Sequence, residues 1–305
     1  GNYTVSANAS TTASIAARQL TGALGALDKV YDGLTAASVT GAGSLNVVSG
    51  DELSVSGSFA DRNVGNGKAV AYALSGADAG NYVLGSGVAL GAASITPRTI
   101  TGAITAAGKV YDGTLAASTG GTLSGVLLGD VVSLSTTGVF ADKNVGSGKT
   151  VTVGGALSGL DAGNYALSVN GTATADITPK TITGALTAAS KVYDGTLTAI
   201  TTGTLSGVVL GDAVAINGTG LFADKNVGAG KAVAVGATLT GLDAGNYLLV
   251  ANSTAQADIT PKALTGAITA AGKTYDGTTA ATTSGQLSGV VAGDLVALST
   301  AGVFA

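Results

Sequence analysis

Apolar and polar residues alternate over short stretches of this chain, with the period of two that is typical of β-strands. The alternating apolar positions recur three times, at Val70 and Tyr72, Val151 and Val153, and Val233 and Val235. Such alternation places the apolar side chains on one face of a strand, where they can be buried. No segment has the i, i+3, i+4, i+7 spacing of an amphipathic helix. The pattern therefore predicts an all-β protein.

Turn residues separate the predicted strands. Residues 165–169 and 173–177 both alternate, and Asn170-Gly171 between them is a strong two-residue hairpin signal. The residues Gly146-Ser147-Gly148 are expected to form another hairpin turn. One short helical turn is expected in residues 159–165 or 115–119.

Four sequence strings recur in a fixed order along the chain. K-[VT]-Y-D-G occurs four times, whereas F-A-D-[RK]-N-V-G, D-A-G-N-Y and I-T-P-[RK] each occur three times. The tyrosines of the first string, Tyr31, Tyr111, Tyr193 and Tyr275, lie about 82 residues apart, which is the size of a small domain. We predict a tandem array of such domains with six to eight strands each, either β-sandwich or β-grasp-like.

The three prolines define the repeat boundaries. Cutting after Pro97, Pro179 and Pro261 gives whole repeats at 18–97, 98–179 and 180–261. Residues 1–17 are then expected to be the C-terminal strands of a preceding repeat, and 262–305 the N-terminal part of a further one. Both ends fall inside a repeat, so the array is expected to continue in both directions.

The boundaries between repeats contain no Gly/Ser linker. A proline has a fixed φ, and the residue before it is driven to extended conformations. We therefore expect the repeats to be joined stiffly into an elongated rod.

The residues that mark the repeat are interpreted as structural. The aromatic rings are expected in a core or interface, and Asp112-Gly113 is expected to close a turn. Stacking of Tyr111 on a sugar or peptide, with Asp112 as its polar partner, is the alternative. The structural repeat positions are Tyr31, Tyr111, Tyr193, Tyr275, Asp112, Asp194, Phe140, Phe222, Asn144, Asn226, Tyr165, Tyr247, Pro97, Pro179 and Pro261.

The composition narrows the possible functions. The chain has no Cys, Met, Trp or His, only 10% charged residues, and a formal net charge of −4. Without His and Cys, the usual zinc sites, Ser-His-Asp catalysis and disulfides are excluded. The negative charge disfavours nucleic acid, and no apolar run is long enough to cross a membrane. We expect no cofactor and no enzymatic activity.

A nucleotide site is the first chemical candidate, because Gly148-Lys149-Thr150 looks like the end of a phosphate-binding loop. In that motif a glycine must lie five residues before Gly148, but Lys143 occupies the position. The sister copies at 67–69 and 230–232 also lack the hydroxyl that would hold Mg²⁺. The pattern therefore favours a turn.

The carboxylates are the second candidate. The middle repeat carries Asp112, Asp130, Asp142, Asp161 and Asp176, and Glu52 is the only glutamate in the chain. Paired carboxylates can hydrolyse glycosides or bind Ca²⁺. These stand singly and mostly beside glycine, so turn roles are expected, with Ca²⁺ as the open alternative.

A side-chain isopeptide bond is the third candidate, between Lys109 and Asn144 or Asn164. Such a bond needs a buried acid beside the pair, which the sequence does not place. An ordinary salt bridge or turn hydrogen bond is the expectation.

The four ordered strings resemble the YDG repeats of very large bacterial surface proteins. Many of those proteins are filamentous-haemagglutinin-like adhesins exported by two-partner secretion. The resemblance covers essentially the whole chain and implies an extracellular or outer-membrane-associated setting and a stalk of β-domains. It brings no catalytic or ligand-binding residue with it.

We therefore expect a structural stalk segment of an extracellular adhesin or fibre, which projects a binding region from the cell surface. Its partners are expected to be the neighbouring repeats of the same chain. Two alternatives remain: repeats that bind glycan or matrix polysaccharide multivalently, and repeats that associate laterally with like chains in a biofilm-matrix fibre.

Overall fold

The computed structural model describes residues 1–6 and 10–305, and the regular structure is almost entirely β. By spatial proximity the chain forms two compact units. The first comprises Gly1–Ala107, Ala116–Phe140 and Thr150–Thr174, and the second comprises Gly108–Leu115, Ala141–Lys149 and Ala175–Ala305. The units do not coincide with the sequence repeats, because each contains one complete repeat and part of the middle one.

Short strands make up each repeat. In the first repeat they are β1 (Arg18–Ala26), β2 (Lys29–Val30), β3 (Ala36–Ala37), β4 (Val39–Thr40), β5 (Ser54–Phe59), β6 (Gly65–Ser75), β7 (Tyr82–Leu90) and β8 (Ala92–Thr96). In the second they are β9 (Arg98–Ala106), β10 (Lys109–Val110), β11 (Thr119–Ser124), β12 (Ser133–Phe140), β13 (Gly146–Ser158), β14 (Tyr165–Val169) and β15 (Thr172–Thr178).

The later strands follow the same order. In the third repeat they are β16 (Lys180–Ala188), β17 (Lys191–Val192), β18 (Thr198–Ala199), β19 (Thr201–Ser206), β20 (Ala215–Phe222), β21 (Gly228–Thr240), β22 (Tyr247–Ala251) and β23 (Thr254–Thr260). The remaining strands are β24 (Thr265–Ala270), β25 (Ala280–Ala281), β26 (Thr283–Ser288) and β27 (Gly302–Val303).

Helical structure in the described residues is limited to single 3-10 turns. These are η1 (Ala42–Ser44), η2 (Ala79–Asn81), η3 (Ala162–Asn164) and η4 (Ala244–Asn246). Three of the four coincide with the D-A-G-N-Y string, so the short helical turn expected in 159–165 is present, while 115–119 contains none.

Two sheets build a repeat, as the third repeat shows within the second unit. A five-stranded sheet has the order β17-β23-β21-β20-β18, and a three-stranded sheet has the order β19-β16-β22. The central strand β16 pairs antiparallel with β19 and parallel with β22. The first repeat has equivalent five-stranded and three-stranded sheets, β2-β8-β6-β5-β3 and β4-β1-β7.

The middle repeat uses the same pairings within each unit. In the first unit, β9 pairs antiparallel with β11 and parallel with β14, and β12 forms a hairpin with β13 over Val151–Ser158. In the second unit, β10 pairs parallel with the end of β15.

The core is aliphatic with a few rings, and it lies between the two sheets. In the third repeat it contains Leu186 of the central strand and Phe222, Val233, Val235 and Ile259 of the larger sheet. The alternation that predicted strands at the valine pairs is confirmed, since Val151, Val153, Val233 and Val235 are all buried. Alternate residues of the same strands are exposed.

Three expectations about the strands need correction or refinement. Asn170-Gly171 does not close a hairpin, because β14 pairs with β9 and not with β15. The sheets are curled and do not form a clear sandwich. The described residues have no α-helix of the kind that a β-grasp sheet packs against.

The expected hairpin turn at Gly146-Ser147-Gly148 is also not seen, because these residues already lie in a strand. The same holds for the Gly-x-Gly residues that precede Lys68 and Lys231. The three segments begin β6, β13 and β21, and the pairing register shifts between Gly65 and Lys68 and between Gly228 and Lys231. The string therefore makes a β-bulge, with the second glycine at positive φ, for example +58° at Gly148.

The described residues before β1 contain no regular structure. Residues 1–6 and 10–17 form no strand and are exposed, so the C-terminal strands expected in 1–17 are not seen in them. A strand needs a neighbour for its hydrogen bonds, and these residues have none among the described strands.

Candidate functional site

The K-V-Y-D-G loop is held by its own lysine and aspartate. In the third repeat, Lys191 Nζ contacts Asp194 Oδ1 at 2.8 Å and donates to the carbonyl oxygen of Thr196 at 2.7 Å. Asp194 Oδ1 also accepts from the Thr196 amide at 2.9 Å. Lys109 and Asp112 form the same contact at 2.7 Å. Asp112 and Asp194 are therefore turn residues, next to a glycine with φ near +77° at Gly113.

The A-D-K-N loop is held in the same way. Lys149 Nζ lies 2.6 Å from Asp142 Oδ1, and that oxygen also accepts from the Asn144 amide at 2.8 Å. The lysine of the apparent phosphate loop is thus paired with a carboxylate of its own loop. Lys68 with Asp61 and Lys231 with Asp224 repeat this pairing.

With both loops held locally, the tyrosine of the K-V-Y-D-G string lies at the junction with the next repeat. Tyr31 is fully buried, and its hydroxyl donates to Asp130 Oδ2 at 2.8 Å, 99 residues further along the chain. Tyr165 donates to the same oxygen at 2.6 Å. The two rings meet edge to face, with centroids 5.4 Å apart and planes at 78°.

A cation from the first repeat completes this junction. Arg62 Nη1 lies 2.8 Å from Asp130 Oδ1, and Arg62 Nη2 donates to Asp161 Oδ1 at 2.7 Å. The first contact is an ion pair without a well-directed hydrogen bond. Asp161 is positioned by the Val131 amide, which donates to its other oxygen at 2.9 Å. One guanidinium thus joins two carboxylates of the next repeat.

A buried amide adds a further link across the junction. The side chain of Asn164 is 4% exposed, its oxygen accepts from the Val64 amide at 2.9 Å, and its nitrogen donates to Asn63 Oδ1 at 3.2 Å. Since a buried amide without partners is costly, this arrangement selects one relative position of the loops it joins.

The second unit contains the same junction between the second and third repeats. Tyr111 and Tyr247 donate to Asp212 Oδ2 at 2.7 and 2.5 Å, and their rings lie 5.4 Å apart at 76°. Lys143 replaces the arginine and lies 2.8 Å from Asp212 Oδ1 and 3.2 Å from Asp243 Oδ1.

The second junction also repeats the amide link. Asn246 accepts from the Val145 amide at 2.9 Å and donates to Asn144 Oδ1 at 3.2 Å. We call the set of one cation, two tyrosines, two aspartates and one asparagine pair the junction lock.

Burial and hydrogen bonding shift the titration of the lock residues. Burial raises the pKa of Tyr31 to about 12, and its hydrogen bond to the charged Asp130 acts in the same direction. Burial and the hydrogen bond to Asp212 likewise raise the pKa of Tyr247 to about 12. Both tyrosines are therefore neutral donors at physiological pH.

The aspartates shift in the opposite direction. Burial by itself would raise the pKa of Asp130, but hydrogen bonds from Tyr165 and Tyr31 and the charge of Arg62 outweigh it and lower the pKa. Burial by itself would also raise the pKa of Asp212, but hydrogen bonds from Lys143, Tyr247 and Tyr111 outweigh this effect and lower the pKa. The carboxyl groups of Asp130 and Asp212 are therefore ionised while they accept the tyrosine hydrogen bonds.

A third, more open version of the lock lies in the second unit. Lys225 Nζ is 3.2 Å from Asp294 Oδ1 and 5.9 Å from the ring centroid of Tyr193. Hydrogen bonds from Tyr193 and Lys225 lower the pKa of Asp294. An apolar cleft of about 170 Å³ beside them is lined by Tyr193, Val227, Pro261, Leu264, Val291 and Asp294.

The remaining predicted positions lie in the core, directly after strands at the repeat boundaries, or on the surface. Phe140 and Phe222 are buried, and Lys191 Nζ lies 5.4 Å from the ring centroid of Phe222. Pro97 is the single residue between β8 and β9, and Pro179 the single residue between β15 and β16, whereas Pro261 is followed by three residues before β24. Tyr275 and Asn226 are exposed.

The structure changes the interpretation of the chemistry-bearing residues. Tyr111 is 1% exposed, so its ring is not available for stacking on a sugar. The sequence pattern predicts single turn roles for Asp130 and Asp161, but Arg62 brings the two carboxylates together. The sequence interpretation missed Arg62, Lys143, Asp212 and Asn246 as junction residues, although Arg62, Lys143 and Asn246 stand at fixed positions of the recurring strings.

No group of three or more metal-ligating side chains lies within residues 1–6 and 10–305. In that same part of the chain, no helix is long and apolar enough to cross a membrane.

The fold and the lock together define an all-β tandem-repeat protein in which some recurring residues hold their own loops and others join successive repeats. The YDG domain matches the chain three times, over residues 15–89, 96–175 and 178–256. The chain therefore belongs to the YDG domain family. Comparison with curated proteins and with solved structures finds no match.

Proposed function

We propose that this chain is a structural stalk segment of an extracellular bacterial adhesin or fibre, with a mechanical rather than a catalytic task. It would project a binding region from the cell surface as a tandem series of β-domains. A filamentous-haemagglutinin-like protein exported by two-partner secretion is the proposed setting. The observation that carries the proposal is the junction lock, which occurs in each unit with the same tyrosine, aspartate and asparagine contacts and with a cation that is Arg62 in one and Lys143 in the other.

The chemistry of the lock supports a load-bearing junction. The carboxylate of Asp130 is 0% exposed in the folded chain. Rupture of the first junction would expose this carboxylate to solvent and separate it from one cation and two tyrosine hydroxyls. Removing one partner from a buried, charged hydrogen-bond network costs more than a surface ion pair, because the remaining charge loses its compensation. A flexible string of domains has no need of such a network.

Continuity of core and backbone supports the same proposal. In the first unit, residues of two repeats share one apolar cluster. It contains Tyr31, Phe59 and Ile95 of the first repeat and Ile100 and Tyr165 of the second. Because one proline alone separates β8 from β9, the backbone has little freedom at this boundary.

Single-molecule pulling of the full chain tests the stalk proposal. We expect a sawtooth of equal steps, each close to the extended length of one repeat, about 280 Å for 82 residues. The double variant Asp130→Asn/Asp212→Asn is expected to lower the rupture forces, and Asp61→Asn/Asp224→Asn, which changes loop aspartates outside the locks, serves as its control. A single rupture of the whole chain, or equal forces in both variants, would contradict the proposal.

Lateral association of like chains is a second candidate, supported by exposed leucines. Leu128 and Leu160 in the first unit, and Leu210 and Leu242 in the second, are almost fully exposed. They recur on the loops that carry the lock aspartates. Such repeated apolar side chains on a weakly charged surface favour contact between chains.

Sedimentation at rising protein concentration distinguishes the two candidates. A stalk segment is expected to sediment as a monomer throughout. Lateral association is expected to increase the sedimentation coefficient with concentration, and Leu128→Ser/Leu210→Ser is expected to abolish that increase.

A further inference from the structure

The paired tyrosines of the junction lock are a candidate site of oxidative modification. Tyrosine is the most readily oxidised side chain available, because the chain contains no Cys, Met, Trp or His. Of the nine tyrosines, Tyr31 and Tyr165 form one edge-to-face pair, and Tyr111 and Tyr247 form the other. Each pair joins two successive repeats.

The hydrogen bonds bring the reactive ends of the rings together. Both hydroxyls of a pair donate to one carboxylate oxygen, at 2.8 and 2.6 Å in the first unit, so the two phenolic oxygens lie within about 5 Å of each other. The ring carbons next to the hydroxyl-bearing carbon are therefore the closest candidates for a bond between the rings. Formation of that bond requires one ring to rotate out of the 78° arrangement.

The shared carboxylate also provides a proton acceptor. A tyrosine loses its phenolic proton when it loses an electron, and Asp130 Oδ2 already accepts the hydrogen bond from each ring. Hydrogen bonds from Tyr165 and Tyr31 and the Arg62 charge lower the pKa of Asp130 despite its burial, so the carboxylate is ionised and can take the proton.

We propose that each junction lock is a dityrosine site, at which a one-electron oxidant covalently joins consecutive repeats through Tyr31–Tyr165 and Tyr111–Tyr247. Two equivalents of oxidant remove one electron from each ring in turn, and each phenol releases its proton to the shared carboxylate, which passes it to solvent before it accepts the next. The two phenoxyl radicals form one carbon–carbon bond ortho to the hydroxyls, and both rings regain their hydroxyl hydrogens from the coupled carbons. The net change is the loss of two hydrogen atoms as two protons and two electrons.

The oxidant class is one that acts by electron transfer over a distance, since the rings are buried. Photogenerated ruthenium(III) polypyridyl complexes supply such an oxidant in the laboratory, and peroxidases are an extracellular source. The inference rests on the geometry of the lock and is independent of the proposed stalk function.

Photo-oxidation of the full chain at low protein concentration, followed by digestion and mass spectrometry, tests the proposal. We expect two crosslinked peptide pairs, Tyr31 with Tyr165 and Tyr111 with Tyr247, each lighter by two hydrogen atoms, together with dityrosine fluorescence. Tyr31→Phe is expected to halve the fluorescence, and Tyr31→Phe/Tyr111→Phe to reduce it to background. Tyr72→Phe is the matched control, because Tyr72 donates to the Gly91 carbonyl oxygen and not to a carboxylate shared with a second tyrosine.

Two results would overturn the proposal. One is crosslinking only through the exposed Tyr3 and Tyr275, with a yield that rises with protein concentration. The other is oxidation of the lock tyrosines to hydroxylated products without a link between them. Neither result depends on a variant, because peptide mapping of the unaltered chain distinguishes them.

Discussion

At the scale of single residues, each recurring string combines residues with local and long-range roles. In K-V-Y-D-G the lysine and aspartate hold their own loop, as Lys191 and Asp194 do at 2.8 Å. The tyrosine between them contacts an aspartate about 100 residues away, as Tyr111 does at Asp212. The string therefore folds its loop and presents one side chain to the next repeat.

The central aspartate is the residue on which the lock most depends. Asp212→Asn removes the charge that faces Lys143, so we expect the free energy of unfolding of the second unit to fall by on the order of 2 kcal/mol. Asp224→Asn is the control, because Asp224 is half exposed and a surface ion pair such as the one it forms with Lys231 contributes little to stability. Urea unfolding of both variants measures the difference, and equal losses would contradict the assigned role of Asp212.

High pH is expected to open the locks. The pKa values of Tyr31 and Tyr247 are raised from 10.0 to about 12, so their stabilising effect is complete below about pH 10. It is lost as the pH rises through about 12, because a tyrosinate would then face an ionised aspartate. Tyrosinate absorbance during an alkaline titration measures this effect.

The variant Tyr31→Phe/Tyr247→Phe provides the comparison for the alkaline titration. It is expected to lose the part of the absorbance change that occurs at the highest pH. If the folded parent chain ionised all its tyrosines in a single step near 10, the raised pKa values would be wrong.

At the scale of elements, glycines with positive φ control where the lock loops lie. Gly241, between β21 and η4, has a φ of +115°, and an added Cβ would collide with the Ala213 carbonyl oxygen. The next loop residues include Asp243, whose carboxylate accepts from the Ala213 amide at 2.9 Å and contacts Lys143. The position of one glycine thus determines the position of a lock carboxylate.

Gly241→Ala is expected to destabilise the second unit by about 2 kcal/mol, through backbone strain and the collision with the Ala213 carbonyl oxygen. Gly245→Ala in η4 is the matched control, because its Cβ would meet nothing within 4 Å, and a change below about 0.5 kcal/mol is expected. Thermal or urea unfolding measures both. A similar loss in the two variants would show that the loop conformation at Gly241 is not constrained.

Asparagines after β14 and β22 explain why the expected hairpin does not form. Asn170 accepts from the Ile104 amide at 2.8 Å and donates to the Ile104 carbonyl oxygen at 2.9 Å. Asn252 does the same with Leu186. Each side chain binds the central strand of the smaller sheet, so the chain passes to the larger sheet instead of turning back beside itself.

At the scale of the whole molecule, the links after the three prolines differ in a way that proteolysis can detect. Arg98 and Lys180 lie at the first positions of β9 and β16, but Lys262 lies outside the strands and is exposed. Protease cleavage requires several residues of open backbone, which paired strands provide only after local unfolding.

Limited trypsin digestion of the full chain is therefore expected to cut after Lys262 at least about tenfold faster than after Arg98 or Lys180. Mass spectrometry of the first fragments identifies the cut. Equal rates at the three sites would mean that the links after Pro97 and Pro179 are as open as the one after Pro261.

The sequence by itself determined the tandem YDG repeat, the all-β class and the strands with buried valines, because period-two alternation and recurrence are local properties of the chain. Composition likewise identified tyrosine as the available redox-active side chain. Only the tertiary structure decided which residues meet in the junction lock. Arg62, Asp130 and Tyr165 lie far apart in sequence, and their contacts depend on sheet order and on the fit of adjacent repeats. The amino-acid sequence shows that these residues recur, but the distances between them follow only from the folded backbone.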